Sequence, residues 1–155
     1  MDSSTRILVF AGGVKVNRTL AWGYFGRRLV LVHASGIPAD GEWAEFLADS
    51  HRDPGEAIIV VTSETKLSRQ QRADVQHWQE CYGRRAVLVT DSVVTRGAAK
   101  ALSWFGIKIQ AFSRRDLDRA FEFAGIASGV RSDAKALIEC MAAALEDCRR
   151  DALAS

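Results

Sequence analysis

The sequence is poor in several features that mark special classes of protein. It has only two prolines, and its charges nearly balance, with 21 Lys and Arg against 19 Asp and Glu for a net charge of +2. Since 48% of the residues are apolar, this composition excludes a disordered or collagen-like chain. The small net charge disfavours nucleic-acid binding, which needs a dense positive field. We therefore expect the 155 residues to fold as one domain with no nucleic-acid partner.

Cysteine motifs and long apolar runs are scarce as well. The three cysteines, Cys81, Cys140 and Cys148, are odd in number and lack CxxC spacing, which is typical of reduced thiols rather than of a disulfide framework. No stretch approaches the roughly 20 apolar residues of a membrane span. The first residues also lack the basic and apolar regions of a signal peptide. These features predict a cytoplasmic protein without a membrane span.

The first part of the chain predicts an antiparallel opening to a sheet. Residues 6–11 form a short apolar run that ends at Gly12-Gly13, which predicts a strand at the sheet edge. Residues 19–25 and 28–34 are two β-favouring runs around Gly26-Arg27, and so short a spacing permits only an antiparallel hairpin. The second arm is apolar on both faces, which is typical of a strand in the middle of a covered sheet.

From residue 40 onward, helical and strand patterns alternate. Asp40 is a candidate cap for a helix that carries Trp43, Phe46 and Leu47 on one stripe. The alternation continues with strands at residues 57–61, 86–89 and 107–112 and with helices at 68–82, 93–105 and 113–124. Such repeats imply parallel strands joined by right-handed crossovers. The sequence therefore predicts an α/β fold with a mixed, mostly parallel sheet flanked by helices.

An extra amphipathic helix is predicted over residues 132–152. Its apolar stripe has to dock on the body of the protein or on another chain, and the link at residues 125–129 is flexible enough for either. We therefore divide the chain into an α/β domain, residues 1–130, and a C-terminal helix, residues 131–155. The stripe consists of Ala134, Leu137, Ile138, Met141 and Leu145.

Four bulky side chains are candidates for an interface, including one between two copies of the chain. Leu137 and Met141 lie on the C-terminal stripe, and Trp104 and Phe105 directly precede a helix-ending glycine. Among the other tryptophans, Trp43 and Trp78 fit buried helix stripes, and Trp22 in the hairpin is expected to be partly exposed. We accordingly expect a protein partner, with a homodimer as one form of it.

A candidate binding site lies where the parallel strands end. Ligands of open α/β sheets bind beyond the carboxyl ends of the strands, where loops and helix N-termini converge. Each of the four predicted ends carries a hydroxyl, although the same residue types also serve as helix caps and turn residues. The candidate residues are Ser35, Ser63, Asp91, Ser92, Thr95 and Arg114.

The Thr90-Asp91-Ser92 segment is the most specific of these ends. A phosphate on Ser92 would meet free amides and a favourable dipole at the start of the next helix. Here the chain resembles STAS domains, the anti-sigma-factor antagonist family, and the related SpoIIAA-like (CRAL-TRIO) proteins. The resemblance covers the order of elements over residues 19–125 together with Asp91 and Ser92. The sequence departs from the family pattern after this pair, where Val93-Val94 stands in place of Ser or Thr and Gly.

The resemblance implies a module that does not catalyse a reaction. It implies regulation or scaffolding through protein–protein interaction and, as in the antagonists, phosphorylation of the serine after the aspartate by a partner kinase. The alternative is a sensor or carrier that binds a small molecule or lipid in the crevice at the strand ends. A cavity larger than roughly 300 Å³ near Ser92 would favour this alternative.

Enzymatic functions have less support in the sequence. His33 and Ser35 share a strand face, which makes a hydrolase the third hypothesis, but the chain has no Gly-x-Ser-x-Gly elbow, dinucleotide-binding glycine motif or P-loop. His77 and Cys81, at i and i+4 on a helix, could supply two metal ligands where a stable site needs three or four. We therefore expect the Cys81 thiol in the core, and no metal or cofactor.

Overall fold

The structure is a computed structural model that describes residues 13–64, 66–104 and 106–154. The strand predicted at residues 6–11 and the interface candidate Phe105 lie outside the described residues. Within the described ranges, six strands form one sheet in the order in which they occur along the chain. They are β1 (Val14–Val16), β2 (Leu20–Phe25), β3 (Arg28–His33), β4 (Ala57–Thr62), β5 (Arg85–Val89) and β6 (Ile109–Phe112).

The sheet is mixed, as the sequence predicts. β1, β2 and β3 pair antiparallel, and β3 to β6 pair parallel, so the α/β class and the hairpin are confirmed. β1 was not predicted, because a strand of three residues with Lys15 at its centre has no apolar run. These three residues form a strand because they pair with β2.

In the described part of the chain, five helices connect or cover the strands. They are α1 (Asp40–Arg52), α2 (Arg69–Tyr82), α3 (Val93–Ser103), α4 (Leu117–Phe123) and α5 (Arg131–Ala154). Ser68 forms the predicted capping box with Gln71. Gly83 ends α2 at φ +58°, a left-handed conformation in which glycine avoids a Cβ clash.

Three predicted helix boundaries are wrong. Asp40 is the first residue of α1, and the cap position belongs to Ala39, which makes no side-chain capping bond. α3 stops at Ser103, before the glycine expected to end it. The chain after Ser113 begins with a 3-10 turn at Arg114–Asp116 rather than with a capped α-helix. Helix ends fray and their last turn is often 3-10, so local patterns place the terminal residues less precisely than the helix itself.

Apolar layers cover both faces of the sheet. On one face, Trp43 and Phe46 of α1 and Trp78 of α2 pack against alternate residues of β2 and β3. The other face packs against α4 and α5, with Phe121 and Leu137 among the buried side chains. Since successive residues of a strand point to opposite faces, continuous apolar strands such as β3 and β4 need both layers.

Trp22 is buried rather than partly exposed, because α1 covers the face of the hairpin that carries it. Its indole Nε1 donates to Asp49 Oδ2 at 2.9 Å, and Lys15 Nζ lies 2.8 Å from the same oxygen. The bond from Lys15, and to a smaller extent the bond from Trp22, holds the pKa of Asp49 below its ordinary value. Both bonds also join β1 and β2 to α1.

The C-terminal helix docks on its own chain. α5 packs across β1, β2 and β3, and its predicted stripe is buried, with Leu137 2% exposed and Met141 1% exposed. The structure therefore takes the first of the two predicted alternatives, and these two side chains are not a surface interface between copies. The sheet face above the opening hairpin would otherwise be exposed to water.

We expect Leu137→Ala to lower the free energy of unfolding by about 2–5 kcal/mol, because it removes buried apolar atoms and leaves a cavity under α5. The exposed neighbour variant Glu139→Ala should change it by less than about 0.5 kcal/mol. Urea unfolding followed by circular dichroism measures both. Equal, small effects of the two variants would contradict docking of α5 on the sheet.

Candidate functional site

The carboxyl ends of β3, β4 and β5 open into one cleft of about 420 Å³. Three of the predicted hydroxyl residues, Ser35, Ser63 and Ser92, line it together. These residues lie far apart in the sequence and meet because parallel strands end at the same sheet edge. The cleft also exceeds the roughly 300 Å³ expected of a small-molecule site. Its lining is completed by Glu64, Val93 and Val94.

A buried threonine holds two of the lining loops together. Thr90 is fully buried, and its hydroxyl donates to the carbonyl of Ser63 at 3.0 Å and accepts from the amide of Ser92 at 3.1 Å. The Arg96 guanidinium donates to the Thr90 carbonyl at 3.1 Å. The sequence marks Thr90 only as the end of a strand, but the structure makes it the link between β4 and α3.

Ser92 is the N-cap of α3. Its Oγ accepts from the amide of Thr95 at 3.2 Å and from the Thr95 hydroxyl at 3.0 Å. The predicted pair therefore lies in direct contact, and both residues are half-buried. Ser92 stands between the helix start, which offers free amides, and the open cleft.

Asp91 and Arg114 lie against each other at the rim. The carboxylate of Asp91 accepts from the Arg114 amide at 3.0 Å, and its other oxygen lies 4.0 Å from the guanidinium Nε. Both side chains are exposed, so the ion pair itself contributes little. The contact joins the ends of β5 and β6, and neither residue lines the cleft.

The loops after β3 and β4 form the other wall of the cleft. The Gly36 amide donates to the Glu64 carbonyl at 3.2 Å, and the Lys66 amide donates to the Gly36 carbonyl at 3.4 Å. Gly36 has φ +100°, a value that L side chains rarely adopt. This glycine therefore allows the loop that carries Ser35 to lie beside Glu64.

Sequence reasoning missed the apolar part of the site. Val93 is 72% exposed and Val94 is 82% exposed, and both line the cleft beside the three serines. Of the residues of α3, only Ala99 is buried. A helical projection places both valines on the side away from Ala99, but only the structure shows that Ala99 is the residue that is buried.

His33 and Ser35 do not share an accessible face. β3 ends at His33, whose side chain is buried beside its register partner Thr62, whereas Ser35 is exposed at the cleft. Burial disfavours the charged imidazolium and lowers the pKa of His33 to about 4. His33 is therefore a neutral core histidine at pH 7.

Cys81 is exposed, so the prediction of a core thiol is wrong. Its Sγ lies 3.6 Å from Nε2 of His77 in the last turn of α2.

Within the described residues, no group of three or more His, Cys, Asp or Glu side chains is arranged to hold a metal ion. No helix in the described part of the chain combines the length and apolarity needed to cross a membrane.

Comparisons with known proteins add no family to this geometry. Neither a scan against protein-family models nor a search of curated proteins gave a match for the chain. The resemblance to STAS domains therefore stays a prediction, and it rests on the order of elements together with Asp91 and Ser92.

Replacing the linking threonine should loosen the cleft. We expect Thr90→Val to lower the free energy of unfolding by about 1–3 kcal/mol. The variant leaves the Ser63 carbonyl and the Ser92 amide without the hydroxyl to which they are hydrogen-bonded. Ser63→Ala leaves that carbonyl in place and should be nearly neutral. Urea unfolding compares the two, and hydrogen exchange of the Ser92 amide should rise in Thr90→Val alone. An unchanged exchange rate would show that Thr90 does not hold the loop.

The buried histidine should make stability depend on pH. Since the folded-state pKa of His33 lies below that of the unfolded chain, its contribution is complete above pH 6.5 and is lost as the pH falls toward 4. We expect the free energy of unfolding to fall by about 2 kcal/mol between pH 7 and pH 5 from this residue. His33→Asn should remove that loss, and the exposed His77→Gln should retain it. A titration of His33 near 6.5 by NMR would refute the assignment.

Proposed function

We propose that this chain is a cytoplasmic, non-catalytic interaction module of the STAS type. It binds a protein partner at the edge where β3, β4 and β5 end, and a phosphate on Ser92 changes that binding. The observation that carries the proposal is the exposed pair Val93-Val94, which stands beside the hydroxyls of the cleft.

An exposed valine on its own needs no explanation, but this surface combines several features. The two valines adjoin the open cleft, and Ile37 is exposed on the loop that follows β3. Apolar side chains next to hydroxyls and backbone amides are typical of protein interfaces, which have an apolar centre and a polar rim. The surface therefore supports recognition of a partner.

Ser92 is placed to control this surface. Its hydroxyl lies at the N-terminus of α3, between Asp91 and the exposed valines, and is half-buried. A phosphate there would add roughly two negative charges at the edge of the binding surface. The helix N-terminus stabilises negative charge, so the fold tolerates the modification while the surface gains negative charge.

The surface itself is tested by Val93→Glu. An acidic residue suits the first turn of a helix, so we expect the variant to fold and to lose the partner. Leu153→Glu, at a highly exposed position near the end of α5, is the matched control and should retain it. Proteins retained from the native cells by each immobilised variant are compared by quantitative mass spectrometry, and the Kd of the retained protein is then measured. If the wild type, Val93→Glu and Leu153→Glu all retain the partner equally, this surface is not the binding site.

The switch is tested by Ser92→Asp against Ser92→Asn. Asp and Asn cap helices about as well as Ser, so both variants should keep α3 and differ only in charge. We expect Ser92→Asp to change the Kd for the partner at least tenfold, and Ser92→Asn to change it less than threefold. Binding by Ser92→Asp that is as tight as wild type for every partner would count against the switch.

The cleft volume favours a second candidate, a sensor or carrier of a small polar molecule. A space of about 420 Å³ lined by three serines could hold such a ligand. Native mass spectrometry of the protein from its own cells would show an added mass, which Ser63→Trp should remove by filling the cleft. A bare mass would reject this second candidate.

A further inference from the structure

Four arginines meet at the edge of the sheet where the parallel strands begin, opposite the cleft. Ala57, the first residue of β4, pairs with Arg28 on one side and with Arg85 on the other. Register partners point to the same face of a sheet, and Ala57 belongs to the layer that α4 and α5 cover. Both arginine side chains therefore lie on that face. We call Arg27, Arg28, Arg84 and Arg85 the arginine edge.

Arg28 of the arginine edge has a structural role. Its guanidinium donates to the carbonyls of Ala124 at 3.1 Å and Gly125 at 2.6 Å. These carbonyls directly follow α4, and a cation at a helix C-terminus satisfies such groups. This contact explains Arg28 without a ligand.

Arg84 and Arg27 also have acceptors within the chain. Arg84 Nε donates to the carbonyl of Gly55 at 2.9 Å, and Arg27 Nε lies 3.2 Å from Glu56 Oε1. The other oxygen of Glu56 lies 3.7 Å from Arg28 Nη2. Among the described residues, Glu56 is the only carboxylate that forms an ion pair with the arginine edge. The edge therefore has an excess of positive charge, although the net charge of the whole chain is only +2.

Arg85 differs from the other three arginines. It is exposed and forms no hydrogen bond or ion pair with the described residues, and its guanidinium carbon lies 6.0 Å from the centre of the Phe123 ring. A methyl group placed on Gly125 would lie 3.5 Å from Arg85 Nη2 and 3.1 Å from Arg28 Nη2. Two guanidinium groups therefore face the same space beside Gly125, which has no side chain to fill it. Because like charges repel, an anion in this space would stabilise both.

We propose that the arginine edge binds a phosphate monoester, whose phosphate group lies beside Gly125 and accepts hydrogen bonds from Arg85 and Arg28. Such a group has three acceptor oxygens and about two negative charges at pH 7. It can therefore bridge two guanidinium groups through charge-assisted hydrogen bonds. A carboxylate carries a single charge, and Glu56 already supplies one to this edge. The site lies at the opposite end of the strands from the cleft and does not depend on the proposed function.

A nucleic acid fits these observations less well. Its binding needs cations that neutralise several successive phosphates. At the arginine edge, Arg27, Arg28 and Arg84 are already held by acceptors of the protein. The geometry therefore suits one phosphate group between two guanidiniums rather than a polymer of them.

The probe is inorganic phosphate, added at constant ionic strength to the intact chain while the Gly125 amide is followed by NMR. We expect a saturable shift with a Kd of about 1 mM. Arg85→Gln should weaken binding at least fivefold. Arg115→Gln removes an exposed positive charge at the opposite end of the strands and should change binding less than twofold. Circular dichroism checks that each variant is folded.

A third variant changes the affinity in the other direction. Glu56→Gln removes the carboxylate that competes with phosphate for the arginine edge, so we expect it to tighten binding at least twofold. A purely structural role of these arginines predicts no phosphate binding in any of the proteins.

Vesicles distinguish two sources of the phosphate group. If the wild type sediments with vesicles that contain phosphatidic acid and Arg85→Gln does not, the phosphate belongs to a lipid headgroup. If both stay in solution while inorganic phosphate binds, the ligand is a soluble phosphate ester. Either result supports the site.

Four results would overturn the inference. They are the absence of a saturable shift at Gly125, binding that Arg85→Gln leaves intact, equal weakening by Arg85→Gln and Arg115→Gln, and a DNA duplex that binds more tightly than phosphate and is weakened by both variants. The last two would show a general effect of positive charge rather than a site beside Gly125.

Discussion

Burial of the central strands on both faces is the constraint on which the rest of the structure depends. β3 and β4 are buried at nearly every position, and such strands require a layer of helices on each side. α1 and α2 form one layer, and α4 and α5 form the other. α5 is therefore part of the core, and its removal would expose the apolar face of the opening hairpin.

The same arrangement explains why α3 differs from the other helices. It lies against β6, one of the two edge strands of the described sheet, which has only four residues. A short edge strand offers little apolar surface to cover, so most of α3 remains accessible. The helix that begins at the cleft therefore also exposes Val93, Val94 and Leu102, and Ser92 stands at its cleft end.

The sequence predicts most of the fold, because its signals are local. The apolar runs of β3, β4 and β5, the capping box at Ser68 and the glycine after α2 each act within a few residues. β1 and the burial of Trp22 depend on partners distant in the chain, so no local pattern shows them. Of the candidate site, Ser35, Ser63 and Ser92 follow from the rule that ligands bind at strand ends, whereas Val93, Val94 and the linking role of Thr90 do not.

By itself, the sequence determined the class of fold, the order of its elements and the hydroxyls at the strand ends, since periodicity and strand ends are properties of short segments. Only the tertiary structure decided that α5 covers its own sheet, that Thr90 joins two loops and that the valines of α3 face solvent. Each of these depends on which surfaces come into contact. Which apolar faces become buried is decided only when all the elements pack together.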